Sequence, residues 1–421
     1  MRERTYMCID LKSFYASVEC ADLGLDPMTT RLVVADPERS EKTICLAISP
    51  AMKALGIKNR CRFFEIPKNV KYICAPPRMK RYIEVSAEIY GIYLKYISKE
   101  DIHVYSIDEA FLDVTDYLEM YGMEARELAE RIMADIMEET GITATAGIGT
   151  NLYLAKIALD ITAKHVKDNI GYLNEELFCQ TLWKHTPLTD FWRIGSGTVR
   201  RLHSVGIMNM EDIAHADEDL LYKLFGVDAE LLIDHAWGRE STTMADIKAY
   251  KPRNSSISNG QVLSRDYSFE ECLLIVKEMT DALCLDMAAQ GVVTDSLSLM
   301  LGFSNELDIK PVNGSVTLTT STNSYRVILP HVLDLYRRIA EEDAPIRRLS
   351  LSCNRIEPEG YVQYDLFSDP EELERDRKLS KATLDIKKRF GKNALVRGMD
   401  LQEGATTMER NRQIGGHKSG E

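Results

Sequence analysis

Two adjacent carboxylates stand in the middle of an alternating apolar stretch, residues 105–113, whose sequence is YSIDEAFLD. The alternation predicts a strand that turns tightly into a second strand, with Asp108 and Glu109 close to the bend. Such a bend is rigid and at least partly exposed, as a carboxylate pair that binds metal ions needs to be. Adjacent acids in a turn are usually only solvated, so a metal site here requires another carboxylate from elsewhere in the chain.

A second candidate carboxylate lies near the N-terminus. Residues 6–10 form a short apolar run that ends in Asp10, and residues 12–20 follow with apolar side chains at helical spacing. Open α/β sheets present ligand-binding groups at strand ends, although Asp10 taken alone is better explained as a helix N-cap. If its strand and that of Asp108 are neighbours, these acids and Glu109 form a cage suited to two Mg²⁺ ions.

Both acidic segments resemble motifs of a known family. Residues 9–19 (IDLKSFYASVE) resemble the opening motif of the Y-family translesion DNA polymerases, and residues 105–113 resemble that family's second carboxylate motif. The resemblance runs over nearly the whole chain and is strongest to the UmuC-like branch of Gram-positive bacteria. It implies error-prone, DNA-directed DNA synthesis in DNA damage tolerance and repair, with possible accessory proteins of the SOS response.

The resemblance implies that catalysis depends on two Mg²⁺ ions. Asp10, Asp108 and Glu109 are the implied catalytic and metal-binding carboxylates, and the backbone carbonyl of Leu11 is a further implied metal ligand. The implied substrates are primer–template DNA and deoxynucleoside triphosphates.

Two aromatic residues at the start of the first helix also match the family. Tyr15 stands at the position of the family's steric gate, whose ring collides with a ribose 2′-hydroxyl, and the resemblance implies that Phe14 helps to form the pocket for sugar and base. The alternative is that both are core residues, because aromatic side chains at a helix start are mostly buried.

Residues 21–75 carry nine Lys and Arg against six Asp and Glu. In the family this segment is the small fingers subdomain, which lies over the incoming nucleotide. Lys53 stands where the family commonly has a triphosphate-binding arginine, and Lys164 matches a second triphosphate-binding lysine, with one extra residue just before it. Ala47 and Pro50 replace the family's usual Thr and Tyr phosphate contacts, so the triphosphate contacts are the least constrained part of the prediction.

Strands and helices alternate around the carboxylate hairpin, which predicts an α+β palm formed by residues 1–20 and 76–167. Within it, residues 78–98 and 124–139 have the apolar periodicity of helices, and residues 143–149 have that of a strand. The predicted fold is α+β and multidomain, the right-hand polymerase arrangement of palm, fingers, thumb and little finger.

Residues 168–240 are predicted to form a helical thumb. Gly195 and Gly197, followed by Leu202 and Gly206, have the spacing of a helix-hairpin-helix. Glycines at such a hairpin let backbone N–H groups approach a DNA phosphate, and this contact is independent of base sequence. The alternative is an ordinary glycine turn between helices.

Residues 241–256, rich in Ser, Thr, Asn and Lys, predict an interdomain linker. Residues 257–356 then show strand-like and helix-like segments in the order β-α-β-β-α-β, a compact two-layer unit. In the family this unit is the little finger, which grips duplex DNA through an exposed sheet face. The candidate phosphate contacts are Ser264, Arg265, Arg347 and Arg348.

Residues 357–421 form a predicted C-terminal tail. Gln363, Leu366 and Phe367, within the sequence QYDLF, resemble the peptide that binds the bacterial sliding clamp. In such a peptide an extended segment offers apolar side chains to a pocket and Gln fixes the register. The alternative is a local loop that packs two apolar side chains.

The rest of the tail divides into two predicted parts. An acidic start with an early proline predicts a helix over residues 369–390. Residues 411–421 are polar and contain several glycines, so disorder is expected there.

Composition constrains compartment and partners. Nine scattered cysteines without a C-x-x-C pair are typical of reduced thiols. No apolar run approaches the roughly 18 residues of a membrane span. We therefore expect a cytoplasmic protein without a membrane partner. The net charge of −13 is only a weak objection to a DNA partner, because the acids concentrate in residues 76–240 and leave the flanking segments basic or balanced.

Two other functions remain open. A nucleotide cyclase with a palm-like core uses a similar carboxylate cage, but it has no use for a glycine hairpin or a clamp peptide. A catalytically impaired DNA-binding or regulatory relative is the other alternative. The intact Asp10, Asp108 and Glu109 argue against impairment, whereas Ala47 and Pro50 are consistent with it.

Overall fold

The structure is a computed structural model that describes residues 4–40, 42–252, 255–360 and 369–420. These residues form two compact units, one ending at Tyr250 and the other running from Lys251 to Ser419. Each unit combines helices with β-sheet, which agrees with the predicted α+β class. Within the described ranges, no helix is both long enough and apolar enough to cross a membrane.

The first unit contains a large mixed sheet, a small sheet and many short helices. Its strands are β1 (Tyr6–Leu11), β2 (Leu32–Val34), β3 (Ala47–Ile48), β4 (Ile73–Ala75), β5 (Ile102–Val104), β6 (Glu109–Asp113), β7 (Ala144–Gly149) and β8 (Ile170–Leu173). Its helices are α1 (Phe14–Asp22), α2 (Pro50–Lys53), α3 (Met79–Tyr93), α4 (Thr115–Tyr121), α5 (Ala125–Thr140), α6 (Leu152–Ile157), α7 (Glu175–Leu182), α8 (Ser196–Ser204), α9 (Met210–Ala214), α10 (Glu218–Phe225), α11 (Asp228–Ala236) and α12 (Met244–Ala249). The large sheet has the strand order β5-β6-β1-β7-β8, and the small sheet has the order β3-β2-β4.

β1 is the central strand of the large sheet. Its residues are buried except for Asp10, which is partly exposed, as expected of a strand covered on both faces. It pairs antiparallel with β6 and with β7, so that Asp10 lies opposite Glu109 on one side and Thr145 on the other. The two acidic segments therefore lie on neighbouring strands, as predicted.

Two glycines in β7 allow the following helix to lie very close to the sheet. A Cβ at Gly147 would be 2.2 Å from the carbonyl oxygen of Ala155, and a Cβ at Gly149 would be 2.2 Å from the amide nitrogen of Ala155. α6 then continues as a π-helical turn, Ala158–Thr162. Because such a turn accommodates one additional residue in a helix, it explains the extra residue that the sequence shows before Lys164.

The small sheet lies within the segment predicted as fingers. β2 pairs antiparallel with β3 and parallel with β4, and Ile48 and Met52 are buried beneath it. The apolar run over residues 43–48 joins this sheet only in part. Only its last two residues join the sheet, because Ile44 pairs with Arg62 instead.

The predicted thumb consists of short helices, from α7 to α11. Gly195 is the N-cap of α8, and Gly206 follows its C-terminal end with a φ of 83°. The element before these glycines is a 3-10 turn, Leu188–Asp190.

The predicted linker, residues 241–256, is not free of regular structure. Its middle forms α12, which is capped by reciprocal hydrogen bonds between Thr243 and Asp246. Met244 at its start is buried in one cluster with Tyr6. α12 packs as part of the first unit, and the boundary between the two units, after Tyr250, falls inside the predicted linker.

The second unit contains the predicted β-α-β-β-α-β order. Its strands are β9 (Ile257–Tyr267), β10 (Val292–Phe303), β11 (Val312–Thr322), β12 (Ile346–Asn354), β13 (Glu357–Pro358), β14 (Gln413–Ile414) and β15 (His417–Lys418). Its helices are α13 (Phe269–Gln290), α14 (Tyr325–Ile339), α15 (Pro370–Phe390) and α16 (Thr407–Arg410). The main sheet has the order β11-β10-β12-β9, and its buried residues form one core with α13 and α14.

The C-terminal tail is more ordered than expected. α15 confirms the predicted helix, but residues 413–418 form the hairpin β14-β15 in place of the predicted disorder. Its turn residues Gly415 and Gly416 both have positive φ, 60° and 80°. The predicted clamp-binding residues Gln363, Leu366 and Phe367 lie outside the described residues.

Candidate active site

Asp108 lies in the turn between β5 and β6. The amides of Tyr105 and Ser106 both donate to the carbonyl oxygen of Glu109, at 2.9 and 3.1 Å. Ser106 Oγ donates to Asp108 Oδ1 at 2.6 Å. The amide of Leu11 donates to the carbonyl oxygen of Asp108 at 3.0 Å, so the turn is attached directly to the end of β1.

Asp10 faces this turn and carries an unusual pKa. Burial, and after it the nearby charges of Asp108 and Glu109, raise the pKa of its carboxyl group to about 7, against smaller opposing effects of Lys156 and Lys164. The raised pKa means that the protein alone does not neutralise the negative charge gathered here. A divalent cation is one ligand that could supply the missing positive charge.

Glu109 is held by a buried lysine. Lys156 Nζ lies 2.8 Å from Oε1 and 2.9 Å from Oε2 of Glu109, and both side chains are about nine-tenths buried. Lys156 also lies 3.0 Å from Asp160 Oδ2, and Cys8 Sγ donates to Glu109 Oε1 at 3.2 Å. Lys156 was not predicted from the sequence. The available signal was a single lysine in the otherwise apolar helix α6.

The ion pair with Lys156 affects whether the Glu109 carboxylate is available to bind a metal ion. Within the described part of the chain, no three His, Cys, Asp or Glu side chains are arranged as ligands of one ion. The oxygen donors of Asp10 and Asp108 nevertheless fit a hard cation such as Mg²⁺. Glu109 can join them only if its carboxylate is shared with Lys156 or turns away from it.

Three lysines lie around the acids. Burial lowers the pKa of Lys53, and Lys164 and Lys12 lower it further, whereas Asp10 raises it. Lys164 Nζ is 3.5 Å from Asp160 Oδ1. The structure thus brings together the two predicted triphosphate-binding lysines, and it adds Lys12, which was not predicted. Several ammonium groups in one region favour a polyanionic ligand.

The two predicted pocket aromatics have different environments. Phe14 is only 3% exposed and belongs to the core. Tyr15 is partly exposed, and its ring stacks on Tyr82 with centroids 4.4 Å apart and planes at 15°. Burial raises the pKa of Tyr15, and Asp108 raises it further, so the Tyr15 hydroxyl lies within electrostatic range of Asp108.

The predicted thumb glycines are accessible. Gly195 and Gly197 are exposed at the N-terminal end of α8, and no heavy atom lies within 4 Å of a Cβ built on either residue. The first amides of a helix have no intrahelical acceptor and favour a negative charge.

Two of the three predicted little-finger arginines already have carboxylate partners. Arg265 Nη2 lies 2.5 Å from Glu271 Oε1, and Arg347 Nη1 lies 3.4 Å from Asp266 Oδ1. Both pairs are partly exposed, so they contribute little stability and can be exchanged for other anions. Ser264 and Arg348, the other two candidates, are exposed.

Comparisons with known proteins match both units. A model of the impB/mucB/samB family matches residues 9–160, and a model of that family's C-terminal domain matches residues 254–366. The putative UV-damage repair protein UvrX of Bacillus subtilis (strain 168) is 32% identical over 420 residues, which cover 99% of this chain and 98% of that protein. DNA polymerase IV 2 of the same organism is 30% identical over 424 residues and 99% of each chain.

A solved structure has a similar fold. The Y-family DNA polymerase chimera Dbh-Dpo4(243-245)-Dbh matches with a TM-score of 0.66 and 23% sequence identity, over 84% of this chain and 99% of that chain. At this identity the similarity establishes the fold.

Proposed function

Since the chain belongs to the impB/mucB/samB family of Y-family translesion DNA polymerases, we propose that it copies damaged template DNA by error-prone, two-metal-ion nucleotidyl transfer. Membership of this family makes it a DNA-directed DNA polymerase and excludes the nucleotide cyclase. The observation that carries the mechanism is the position of Asp10 opposite the acidic turn, with a pKa raised to about 7 by burial and by Asp108 and Glu109.

The proposed metal ligands are Asp10, Asp108 and the backbone carbonyl of Leu11, with Glu109 completing the primer side. When bound, two Mg²⁺ ions make the primer 3′-hydroxyl easier to deprotonate and neutralise charge on the departing pyrophosphate. The contacts of Glu109 with Lys156 place a lysine directly behind this site, where it fixes the carboxylate.

The proposed reaction joins the primer to the α-phosphorus of a deoxynucleoside triphosphate. The 3′-oxygen forms the new P–O bond, the bond to pyrophosphate breaks, and the hydroxyl proton passes to solvent. Lys53 and Lys164 bind the triphosphate as compact cations, and the observed proximity of Lys12 adds a third. Tyr15 excludes a ribose 2′-hydroxyl, and Phe14 supports the sugar pocket from the core.

Low fidelity is part of the proposal. The described elements of the proposed fingers are short: β2, β3 and β4 have three, two and three residues, α2 has four, and the 3-10 turn Phe63–Glu65 has three. So small a cover makes few contacts with a new base pair, which supports tolerance of damaged bases.

The proposed partners are primer–template DNA and the bacterial sliding clamp. The exposed amides around Gly195 and Gly197 bind the DNA backbone, and the second unit grips the duplex. Gln363, Leu366 and Phe367 bind the clamp, and accessory proteins of the SOS response are a further proposed partner. The name of the relative UvrX supports a role after ultraviolet damage.

A matched pair of carboxylate variants tests the catalytic part. In Mg²⁺-dependent primer extension on undamaged template, Asp108→Asn should lose about 10³-fold or more of the activity while retaining DNA binding. The control is Asp113→Asn, since Asp113 lies at the end of β6, the strand that follows Asp108, and is held by Arg4 at 3.2 Å. Retained activity in Asp108→Asn would contradict the proposed metal site.

A further inference from the structure

The ring that we propose to exclude ribonucleotides rests on a second, fully buried tyrosine. Tyr82, in α3, is 0% exposed. Its ring lies parallel to that of Tyr15, 4.4 Å between centroids, and meets the edge of Phe14 at 6.5 Å. Because the Tyr82 ring lies flat against the Tyr15 ring, any tilt of Tyr15 towards α3 is blocked by Tyr82.

Tyr82 is itself fixed by a buried carboxylate. Its hydroxyl donates to Glu19 Oε1 at 2.7 Å, and Glu19 is only 5% exposed. Glu19 lies one turn after Tyr15 in α1, so the same helix carries both the gate ring and the group that holds its support.

An arginine holds the carboxylate in turn. Arg78 Nε donates to Glu19 Oε1 at 3.0 Å, and Arg78 Nη2 donates to Glu19 Oε2 at 2.8 Å. Nη2 of Arg78 also donates to Asp22 Oδ2 at 2.7 Å, and Asp22 accepts from Arg81 as well. A bidentate pair of this kind fixes orientation as well as charge, and here it ties α1 to the start of α3.

We propose that Glu19 is a positioning residue for sugar selection: held by Arg78, it fixes Tyr82, and Tyr82 holds the Tyr15 ring where a ribose 2′-hydroxyl would collide with it. Glu19 touches neither substrate nor metal in this scheme. The inference rests on the proposed function, in which Tyr15 is the gate. A network that served only to tie two helices together would affect both kinds of nucleotide equally.

The test measures kcat/KM for one deoxynucleotide and for the matching ribonucleotide, on undamaged primer–template with Mg²⁺. The variants are Glu19→Gln, Tyr82→Phe, Tyr82→Leu and, as reference, Tyr15→Ala. The matched control is Tyr336→Phe, which removes another buried hydroxyl, one that donates to the Phe269 carbonyl oxygen at 2.8 Å in the second unit.

The proposal predicts that ribonucleotide kcat/KM rises, which a loss of folded protein cannot cause. Tyr82→Leu should reduce the ratio of deoxynucleotide to ribonucleotide kcat/KM by about tenfold, and Tyr82→Phe and Glu19→Gln by about threefold, because they keep the stacked ring but weaken its anchor. Tyr336→Phe should leave the ratio unchanged.

The outcomes distinguish a failure of the positioning role of Glu19 and Tyr82 from a failure of the proposed gate at Tyr15. If Tyr15→Ala lowers the ratio but the Tyr82 and Glu19 variants do not, the positioning role is wrong and the gate stands. Equal losses for both nucleotides in Glu19→Gln also overturn it. An unchanged ratio in Tyr15→Ala contradicts the gate itself, and the inference with it.

Discussion

Lys156 Nζ contacts both carboxylate oxygens of Glu109, at 2.8 and 2.9 Å, within a nearly buried pair. Asp10 lies opposite Glu109 in the sheet and carries the raised pKa. Of these two proposed metal ligands, Glu109 is thus paired with a lysine of the protein, whereas Asp10 keeps an unfavourable environment for its charge. We therefore expect Lys156 to stabilise the charge of Glu109 without a metal ion, and the charge of Asp10 to depend on a bound cation.

Removing Lys156 should destabilise the protein strongly. Lys156→Met leaves Glu109 buried without its counter-charge, and breaking a buried pair in this way costs about 3–5 kcal/mol. The double variant Lys156→Met, Glu109→Gln should recover much of this loss, because no uncompensated charge remains. Urea unfolding measures both effects.

The control for Lys156 is a surface pair. Lys95 and Glu139 also form an ion pair, but their side chains are close to half exposed. Lys95→Met should therefore change stability by less than about 1 kcal/mol. Equal losses from the two lysine substitutions would contradict a special role for Lys156.

Binding of Mg²⁺ should strengthen as pH rises from 6 to 8. The metal-free Asp10 carboxyl has a pKa raised to about 7, so below that pH a proton must leave before Asp10 can bind a cation. Isothermal titration with Mg²⁺ should show about tenfold weaker binding at pH 6 than at pH 8. The dependence should be absent in Asp10→Asn, and a pH-independent affinity in the wild type would count against Asp10 as a ligand.

Lys53 and Lys164 should each be needed for nucleotide binding. Replacing either by Ala removes a cation from the triphosphate site, which should raise KM for a deoxynucleotide about tenfold. Lys167 is an exposed lysine close to Lys164, and Lys167→Ala should leave KM unchanged. A similar KM for all three variants would place the triphosphate elsewhere.

Gly195 should matter for DNA affinity and little for stability. A side chain there has open space and an ordinary φ of −90°, but it screens the amides at the start of α8 from a phosphate. Gly195→Val should weaken binding of primer–template about tenfold, measured by fluorescence anisotropy, with little change in Tm.

Gly206→Ala provides the opposite control. Its φ of 83° strains any side chain by about 1–2 kcal/mol, so Tm should fall while DNA affinity stays the same. If Gly195→Val leaves the DNA affinity unchanged, the segment around Gly195 is an ordinary glycine turn between helices and does not bind DNA.

Local signals allowed much of the fold to be predicted. α13, the first helix of the predicted β-α-β-β-α-β unit, has sequence signals at both ends, because Ser268 and Glu271 form a capping box and Gly291 terminates the helix with a φ of 64°. The position of Asp10 beside the acidic turn was also predicted, since both segments read as strand ends. A similar capping box at Thr243 begins α12, but it lies in a polar stretch whose composition is typical of a linker.

Most features that could not be predicted from the sequence depend on contacts between residues far apart in the chain. The contact of Lys156 with Glu109 depends on how closely α6 approaches β7, which Gly147 permits. The stacking of Tyr15 on Tyr82 likewise joins separate helices, and helical periodicity alone indicates only that Tyr82 is buried. The hairpin β14-β15 has strands too short and polar to show an alternating pattern.

The most direct test of the translesion assignment is primer extension by the purified wild-type protein on a template with one abasic site, in Mg²⁺. We predict incorporation opposite the abasic site and continued synthesis beyond it. Extension that proceeds on undamaged template but stops one nucleotide before the abasic site would contradict translesion synthesis. No extension on either template would contradict polymerase activity in the isolated protein.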